Sequence, residues 1–314
     1  MSLTVGIDVG GTKIAGGVVD EDGKMLTTAR RESPATDTDA IEDAIEDLVS
    51  ELRGSHDIEA VGIGAAGFVD VMRATVLFAP NLAWRDEHLK HDLEARLKMP
   101  VVVENDANAA AWGEFTFGAG ADVDDFMLVT VGTGVGGGIV LNGELHRGAF
   151  GVAAEIGHIR VVPGGLICGC GNRGCWEQYA SGTALVRDTR ELAGQGSLIA
   201  KSLLDRVGGD VMRIDGPLIT EAARDGDGFA IEQLESLGRW LGEGIATLTA
   251  VLDPAVVVIG GGVSEAGGLL LEPIRQHFRA NLTGRSYRPE LEIRKAALGN
   301  TAGMIGAADL ARRP

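Results

Sequence analysis

The sequence predicts an α/β protein of two lobes that follow one structural plan. Its 314 residues exceed the size at which a single hydrophobic core is usual. Short β-compatible stretches alternate with amphipathic stretches, as in α/β folds. A strand, a glycine-rich turn and a second strand begin near residue 3 and again near residue 126. We therefore expect a smaller lobe over residues 1–118, on which a C-terminal helix 301–314 packs back, and a larger lobe over 119–300.

The first lobe opens with three predicted strands, "LTVGID", "KIAGGVVD" and "KMLTTAR", separated by glycine-containing turns. A helix is expected from Asp37 to Leu52, because apolar residues recur there at helical spacing between acidic ones. The strands "IEAVGIGAAG" and "MPVVVEND" then flank a helix expected over Asp86 to Leu97.

The second lobe repeats the opening in "DFMLVTVGTGVGGGIVLNGEL", which predicts a strand, a glycine turn, a strand and a hairpin. A long helix is expected over residues 228–252, and "AVVVIGGGV" after it predicts a buried strand that ends in glycines.

The charge and the chain's apolar runs exclude several classes of protein. Forty-five acidic residues against 28 basic ones give a net charge of −17, which repels nucleic acids and anionic membranes. The start "MSLTVGIDVGG" lacks a signal peptide's basic and apolar regions, and no run of 18 apolar residues occurs. We expect a cytoplasmic protein without nucleic-acid or membrane partners.

All three cysteines lie within eight residues, in "CGCGNRGC". In a reducing compartment clustered thiols favour metal binding over disulfides. His158 precedes Cys168, Cys170 and Cys175, and together they form a Cys₃His set suited to tetrahedral zinc. The hypothesis is a structural zinc site; free buried thiols are the alternative.

Three glycine loops each follow an apolar strand: "DVGGTK", "GTGVGGG" and "GGGVS". Backbone amides without Cβ bulk can approach an anion closely, so the three together favour a nucleotide bound between the lobes. Neither P-loop spacing nor a strand-to-helix dinucleotide motif is present. Lys13 is either a phosphate contact or a solvated charge, and Asp8 either stabilises a turn or lies near magnesium.

Polar residues stand where the strand "VVVEND" meets the next helix. Asp106 is either the N-cap of that helix or a carboxylate that accepts a proton from a sugar hydroxyl, with Asn105 beside it as donor and acceptor. Glu155 lies three residues before His158, hence on the same face if the stretch is helical.

These motifs resemble the ROK family of sugar kinases and repressors along essentially the whole chain, and within it the ATP-dependent bacterial glucokinases. "DVGGTK", "ENDANAAAWGE", "GTGVGGGIV", "GAFGVAAEIGHI" and "CGCGNRGCWEQYASG" occur in the family's order. The resemblance implies the two-lobed actin-like ATPase fold of hexokinases and actin, with the active-site cleft between the lobes. It further implies ATP-dependent phosphorylation of glucose at its 6-hydroxyl, with Mg²⁺, a structural Zn²⁺ and a homodimer or homotetramer.

The resemblance also implies roles for individual residues. Asp106 is expected to be the general base, and Asp8 to lie near magnesium. The expected sugar contacts are Gly67, Asn105, Asp106, Glu155, His158 and Glu177. The expected ATP contacts are Gly10, Gly11, Thr12, Lys13, Thr133, Gly134, Gly261 and Gly262.

Other members of the family suggest alternatives. Fructose, mannose or N-acetylmannosamine can replace glucose as the substrate, and a non-catalytic sugar sensor is the alternative to an enzyme. Family repressors carry an added N-terminal DNA-binding module, whereas this sequence enters its first strand by Leu3. Family kinases that use polyphosphate usually lack the cysteine motif, which favours ATP as the donor.

Overall fold

The computed structural model describes residues 2–54 and 56–313 and divides into two compact units. Unit 1 comprises the chain up to Leu128, Gly137–Ala154 and the chain from Ala297 onward; unit 2 comprises Val129–Gly136 and Glu155–Ala296. The lobe boundaries expected from the sequence stay a prediction. Among the described residues, no helix combines the length and the apolar character that a membrane span needs.

Unit 1 is built on a mixed five-stranded sheet. Its elements are β1 (Leu3–Val9), β2 (Lys13–Val19), β3 (Met25–Glu32), α1 (Thr38–Arg53), β4 (Ile58–Ala65), β5 (Phe68–Val69), β6 (Val76–Phe78), β7 (Arg85–Glu87), α2 (Leu89–Leu97), β8 (Val101–Asn105) and α3 (Asp106–Phe117). The sheet order is β3-β2-β1-β4-β8, in which β1, β4 and β8 are parallel and β2 and β3 are antiparallel to their neighbours.

A second five-stranded sheet follows the same plan. Its strands are β9 (Phe126–Val131), β10 (Val135–Leu141), β11 (Glu144–Leu145), β12 (Val256–Gly260) and β13 (Glu292–Lys295). The order β11-β10-β9-β12-β13 again places the first strand at the centre. Two sheets with one order agree with the repeated opening pattern of the sequence.

Helices supply the rest of the described fold. They are α4 (Glu177–Ala180), α5 (Gly182–Gly194), α6 (Lys201–Arg206), α7 (Gly216–Arg224), α8 (Gly228–Leu252), α9 (Gly268–Asn281) and α10 (Ala302–Ala311), with short 3₁₀ turns at Ile156–His158, Leu198–Ala200, Val211–Arg213, Gly262–Ala266 and Gly299–Thr301. The long helix predicted for 228–252 is confirmed as α8. α8 packs against α9 in unit 2.

The helix predicted over Asp86 to Leu97 begins later, at Leu89. Residues Arg85–Glu87 instead pair with β6 as β7, with Arg85 opposite Phe78. Sequence periodicity alone did not show this pairing, because a three-residue strand has too few positions to reveal alternation.

Helices cover both faces of the unit 1 sheet. Successive strand residues point to opposite sides, so each strand contributes residues to both faces. Val5 and Ile7 join the apolar core with Ile41 and Ile45 of α1, all fully buried. On the other face α10 is held by a 2.8 Å hydrogen bond from Trp112 Nε1 to Asp309 Oδ2 and packs on α3. α3, which carries Asp106 at its start, is thereby anchored.

Glu42 of α1 is a buried carboxylate paired with Arg96. Its side chain is 4% exposed and lies 3.0 Å from Arg96 Nη2. Burial raises the pKa of Glu42 to about 7, Arg96 opposes this, and neighbouring carboxylates such as Glu87 and Asp92 add to it. Between pH 4.5 and 7 the folded state therefore holds a proton that the unfolded chain releases. Stability falls as the pH rises through this window.

We predict that Glu42→Gln removes this fall in stability with rising pH, because the glutamine side chain cannot ionise. Relative to wild type, the variant should gain up to about 3 kcal/mol of unfolding free energy between pH 4.5 and 8. Urea unfolding at a series of pH values measures it. Asp43→Asn is the matched control, because Asp43 also contacts Arg96 but its side chain is 71% exposed. If the free energies of unfolding of wild type and Glu42→Gln vary with pH in parallel, the prediction is contradicted.

Candidate active site

The carboxyl ends of three parallel strands form one edge in unit 1. In the sheet register Val9 of β1 lies opposite Ala65 of β4, and Ala65 lies opposite Asn105 of β8. The edge therefore places Asp8 and the loop after β4 beside the start of α3. Open α/β sheets bind their ligands at this edge. The site residues that the sequence predicted for unit 1 lie there.

Asn105 and Asp106 are held by a small hydrogen-bond network. Asn105 Oδ1 accepts from the amide of Asn108 at 2.9 Å, so Asn105 is the N-cap of α3. Its Nδ2 donates to the Gly67 carbonyl at 3.0 Å and to Asp106 Oδ1 at 3.1 Å. Asp106 Oδ1 also accepts from the amide of Ala107 at 2.9 Å. Gly67, Asn105 and Asp106 are thus brought together.

The alternative that Asp106 is the N-cap is wrong. Asp106 is the first residue of α3, and the cap is the residue before it, whose φ of −62° and ψ of 142° are extended. Asn and Asp are nearly equal as N-caps, so the sequence "END" did not distinguish the two positions. Two donors at one oxygen set the orientation of the half-buried Asp106 carboxylate.

Glu104 supports this arrangement and was not predicted. Its side chain is 3% exposed, and its Oε2 accepts from Arg147 Nε at 2.6 Å. Its Oε1 accepts from the amide of Asn105 and from Asn108 Nδ2, both at 3.1 Å. A buried carboxylate almost always has a charged partner. In the sequence, an acidic residue directly after the apolar run in "VVVEND" was the signal that could have indicated a buried, paired carboxylate.

The first glycine loop is the turn between β1 and β2. The amide of Gly10 donates to the Lys13 carbonyl at 3.0 Å, and Thr12 and Lys13 are exposed. Burial raises the pKa of the Asp8 carboxyl, and the charge of Lys13 opposes this. The predicted nucleotide residues of unit 1 are therefore contiguous, with a lysine and a carboxylate at the same loop.

In unit 2 the predicted zinc ligands converge. One ligand atom from each of His158, Cys168, Cys170 and Cys175 lies within 4.8 Å of the others. The Cys170 and Cys175 sulfurs are 3.6 Å apart, and Cys168 Sγ is 3.6 Å from His158 Nδ1. Three thiols and an imidazole at such separations fit the tetrahedral geometry of zinc. The residues therefore fit the metal that the sequence suggests.

Two carboxylates flank the imidazole of this cluster. His158 Nε2 is 3.9 Å from Glu155 Oε2, and His158 Nδ1 is 3.6 Å from Glu177 Oε1. Cys168 Sγ also donates to Glu177 Oε1 at 3.0 Å. The Nδ1 side therefore faces the thiols, and the Nε2 side faces Glu155. The structure brings the three predicted sugar residues of unit 2 together.

The two glycine loops of unit 2 also lie side by side. The amide of Gly132 donates to the Gly134 carbonyl at 3.0 Å. Gly261 has a φ of 81°, and a Cβ there would lie 2.5 Å from the Val131 carbonyl oxygen. Glu177 Oε2 lies 2.7 Å from the place of a Cβ on Gly134, which links the zinc cluster to the loop 132–134.

Comparison with known proteins identifies the family. The profile of the ROK family matches residues 4–314. The chain belongs to the ROK family. It is 52% identical to the glucokinase of Streptomyces coelicolor, over 100% of this chain and 99% of that protein. It is 41% identical to the glucokinase of Halalkalibacterium halodurans, over 98% of this chain and 94% of that protein.

A solved ROK structure shows the same fold. It is a ROK family glucokinase from Streptomyces griseus in complex with glucose and AMPPNP, 55% identical, with a TM-score of 0.91 over 100% of both chains. The expected actin-like ATPase fold of the ROK family is therefore confirmed. Within this ROK protein the predicted site residues fall into two groups, one in each unit.

Proposed function

We propose that this ROK protein transfers the γ-phosphoryl group of ATP to the 6-hydroxyl of glucose, which yields glucose 6-phosphate and ADP. The observation that carries the proposal is its 55% identity over the whole chain to a glucokinase crystallised with glucose and an ATP analogue. Identity of 52% and 41% with curated glucokinases, over 99% and 94% of their lengths, supports the same activity.

Asp106 is the proposed general base. Its carboxylate stands at the sheet edge where ligands bind, and Asn105 Nδ2 and the Ala107 amide orient it. A carboxylate held in this way accepts the proton of the 6-hydroxyl as the oxygen attacks the γ-phosphorus. Phosphoryl transfer depends mainly on alignment and charge neutralisation, so a well-oriented base suits this chemistry.

The remaining polar residues are proposed to bind the two substrates. The sugar hydroxyls are bound by Gly67, Asn105, Asp106, Glu155, His158 and Glu177. The ATP phosphates are bound by the loops of Gly10, Gly11, Thr12, Lys13, Thr133, Gly134, Gly261 and Gly262. Asp8 would hold magnesium near the phosphates, where the ion would supply charge neutralisation.

The structural zinc is proposed to be held by His158, Cys168, Cys170 and Cys175. Because these four protein ligands would fill the coordination shell, the metal would act as a rigid anchor rather than as a Lewis acid. Through their contacts with this cluster, Glu177 and His158 keep their positions. We also propose that the protein works in the cytoplasm, where thiols stay reduced. A homodimer or homotetramer remains a prediction.

The test is release of ADP from magnesium-ATP across a panel of hexoses, with zinc-replete protein and a pyruvate kinase–lactate dehydrogenase assay that does not depend on glucose 6-phosphate. Strong turnover with glucose is expected. Turnover only with fructose, mannose or N-acetylmannosamine would support the proposed kinase activity but assign it a different substrate. No turnover with any hexose would contradict the proposed kinase activity and favour a sugar sensor.

A further inference from the structure

The start of α5 lies directly against the glycine loop 132–134. The amide of Gly182 donates to the Gly132 carbonyl at 2.8 Å. The hydroxyl of Thr183 donates to the Thr133 carbonyl at 2.7 Å. Two successive carbonyls of the loop are therefore bound by two successive residues of the helix.

These two bonds determine where the loop's amides point. A peptide unit is planar and trans, so its C=O and N–H groups point in opposite directions. Binding of the Gly132 carbonyl thus orients the amide of Thr133, and binding of the Thr133 carbonyl orients the amide of Gly134. These are the two loop residues proposed to contact the phosphates.

The loop has little else in it to hold this orientation. Glycines on both sides of Thr133 permit many backbone conformations, and Thr133 itself is exposed. Within the loop the amide of Gly132 donates to the Gly134 carbonyl. The bond from the Thr183 side chain is therefore a restraint on the loop that comes from outside it.

The position of α5 is itself well defined. Ser181 is 3% exposed, and its hydroxyl accepts from the amide of Ala184 at 3.1 Å as the N-cap. A Cβ on Gly182 would lie 2.7 Å from the Gly132 carbonyl oxygen and 3.0 Å from Val263 Cγ2. The first turn of α5 is thus packed between the two glycine loops of unit 2, and Thr183 projects from a rigid support.

We propose that Thr183 is a positioning residue for ATP binding, which orients the amide of Gly134 through its bond to the Thr133 carbonyl. The inference rests on the proposed kinase activity and extends it to a residue outside the glycine motifs. Since Thr183 acts through the loop, its loss should weaken ATP binding while glucose binding is kept.

The test compares Thr183→Val, which keeps the shape and removes the hydroxyl, with Thr183→Ser, which keeps the hydroxyl. Loss of one hydrogen bond of this kind predicts a rise of about 3- to 10-fold in the KM for ATP in Thr183→Val, with the KM for glucose unchanged. Thr183→Ser should stay near wild type. Thr247→Val is the matched control, because the Thr247 hydroxyl donates to a helix carbonyl, that of Glu243, outside the loops.

Three measurements separate this inference from a general structural effect. Steady-state kinetics give both KM values, thermal unfolding gives Tm, and calorimetry gives the Kd for AMPPNP. An unchanged KM for ATP in Thr183→Val, or an equal rise in both KM values with a lowered Tm, would overturn the inference. If wild type phosphorylates no hexose, the proposed function fails, and the AMPPNP Kd of wild type against Thr183→Val then decides the role of Thr183. Absence of AMPPNP binding to wild type would overturn both.

Discussion

Replacement of Asp106 by asparagine is expected to lower kcat by about 10²- to 10⁴-fold, the range of general acid–base catalysis. The amide oxygen can still accept the hydrogen bonds from Asn105 Nδ2 and the Ala107 amide, so the start of α3 should be preserved. An amide cannot take up the proton of the sugar hydroxyl. The loss should therefore fall on kcat rather than on folding or glucose binding.

Single-turnover and steady-state kinetics with glucose measure this effect, and thermal unfolding checks the fold. Asp37→Asn is a suitable control, because Asp37 is a helix N-cap in unit 1 whose Oδ1 accepts from the Ala40 amide. The control tests the same chemical change at a helix start without a proposed catalytic role. A kcat of Asp106→Asn within a few-fold of wild type would refute the role of Asp106 as general base.

Loss of one thiol of the zinc cluster is expected to remove the metal and to weaken glucose binding by 10-fold or more, the usual effect of lost outer support at such sites. Cys170→Ala is the informative variant, because Cys170 has no proposed contact with either substrate. His158 and Glu177 contact the same cluster and are proposed to bind sugar hydroxyls. Without the metal their positions should no longer be held.

Elemental analysis of zinc per chain and the KM for glucose test this prediction together. Asn172→Ala provides a graded comparison, because Asn172 Nδ2 lies 3.6 Å from Cys170 Sγ but is not among the ligands. It should lose less zinc and raise the KM for glucose less than Cys170→Ala does. Equal zinc content in Cys170→Ala and wild type would show that the cluster does not hold the metal as proposed.

Much of the fold follows from local patterns in the sequence. The helices α1 and α8 and the strands that precede the glycine loops were predicted from periodicity, since apolar spacing reports directly on local structure. The bounds of the shorter elements were not predicted as well: the helix expected from Asp86 begins only at Leu89, as α2. A three-residue strand depends on its neighbour β6 rather than on its own pattern.

The candidate site likewise combines features that the sequence predicted with features that needed the structure. Sequence by itself determined the cysteine cluster and the glycine loops, because their members lie within a few residues and a short chain segment brings them together whatever the rest of the fold does. It also brought Asn105 and Asp106 to the end of a strand, although the choice of N-cap between these neighbours needed the backbone angles.

Only the tertiary structure decided the contacts that support these motifs. Glu104 meets Arg147 across 43 residues, and Thr183 meets Thr133 across 50. Such pairs depend on the path of the whole chain, for which local propensity carries no information. The sequence therefore predicted which residues are proposed to carry the chemistry, and the packing of distant segments decided how their carboxylates and amides are oriented.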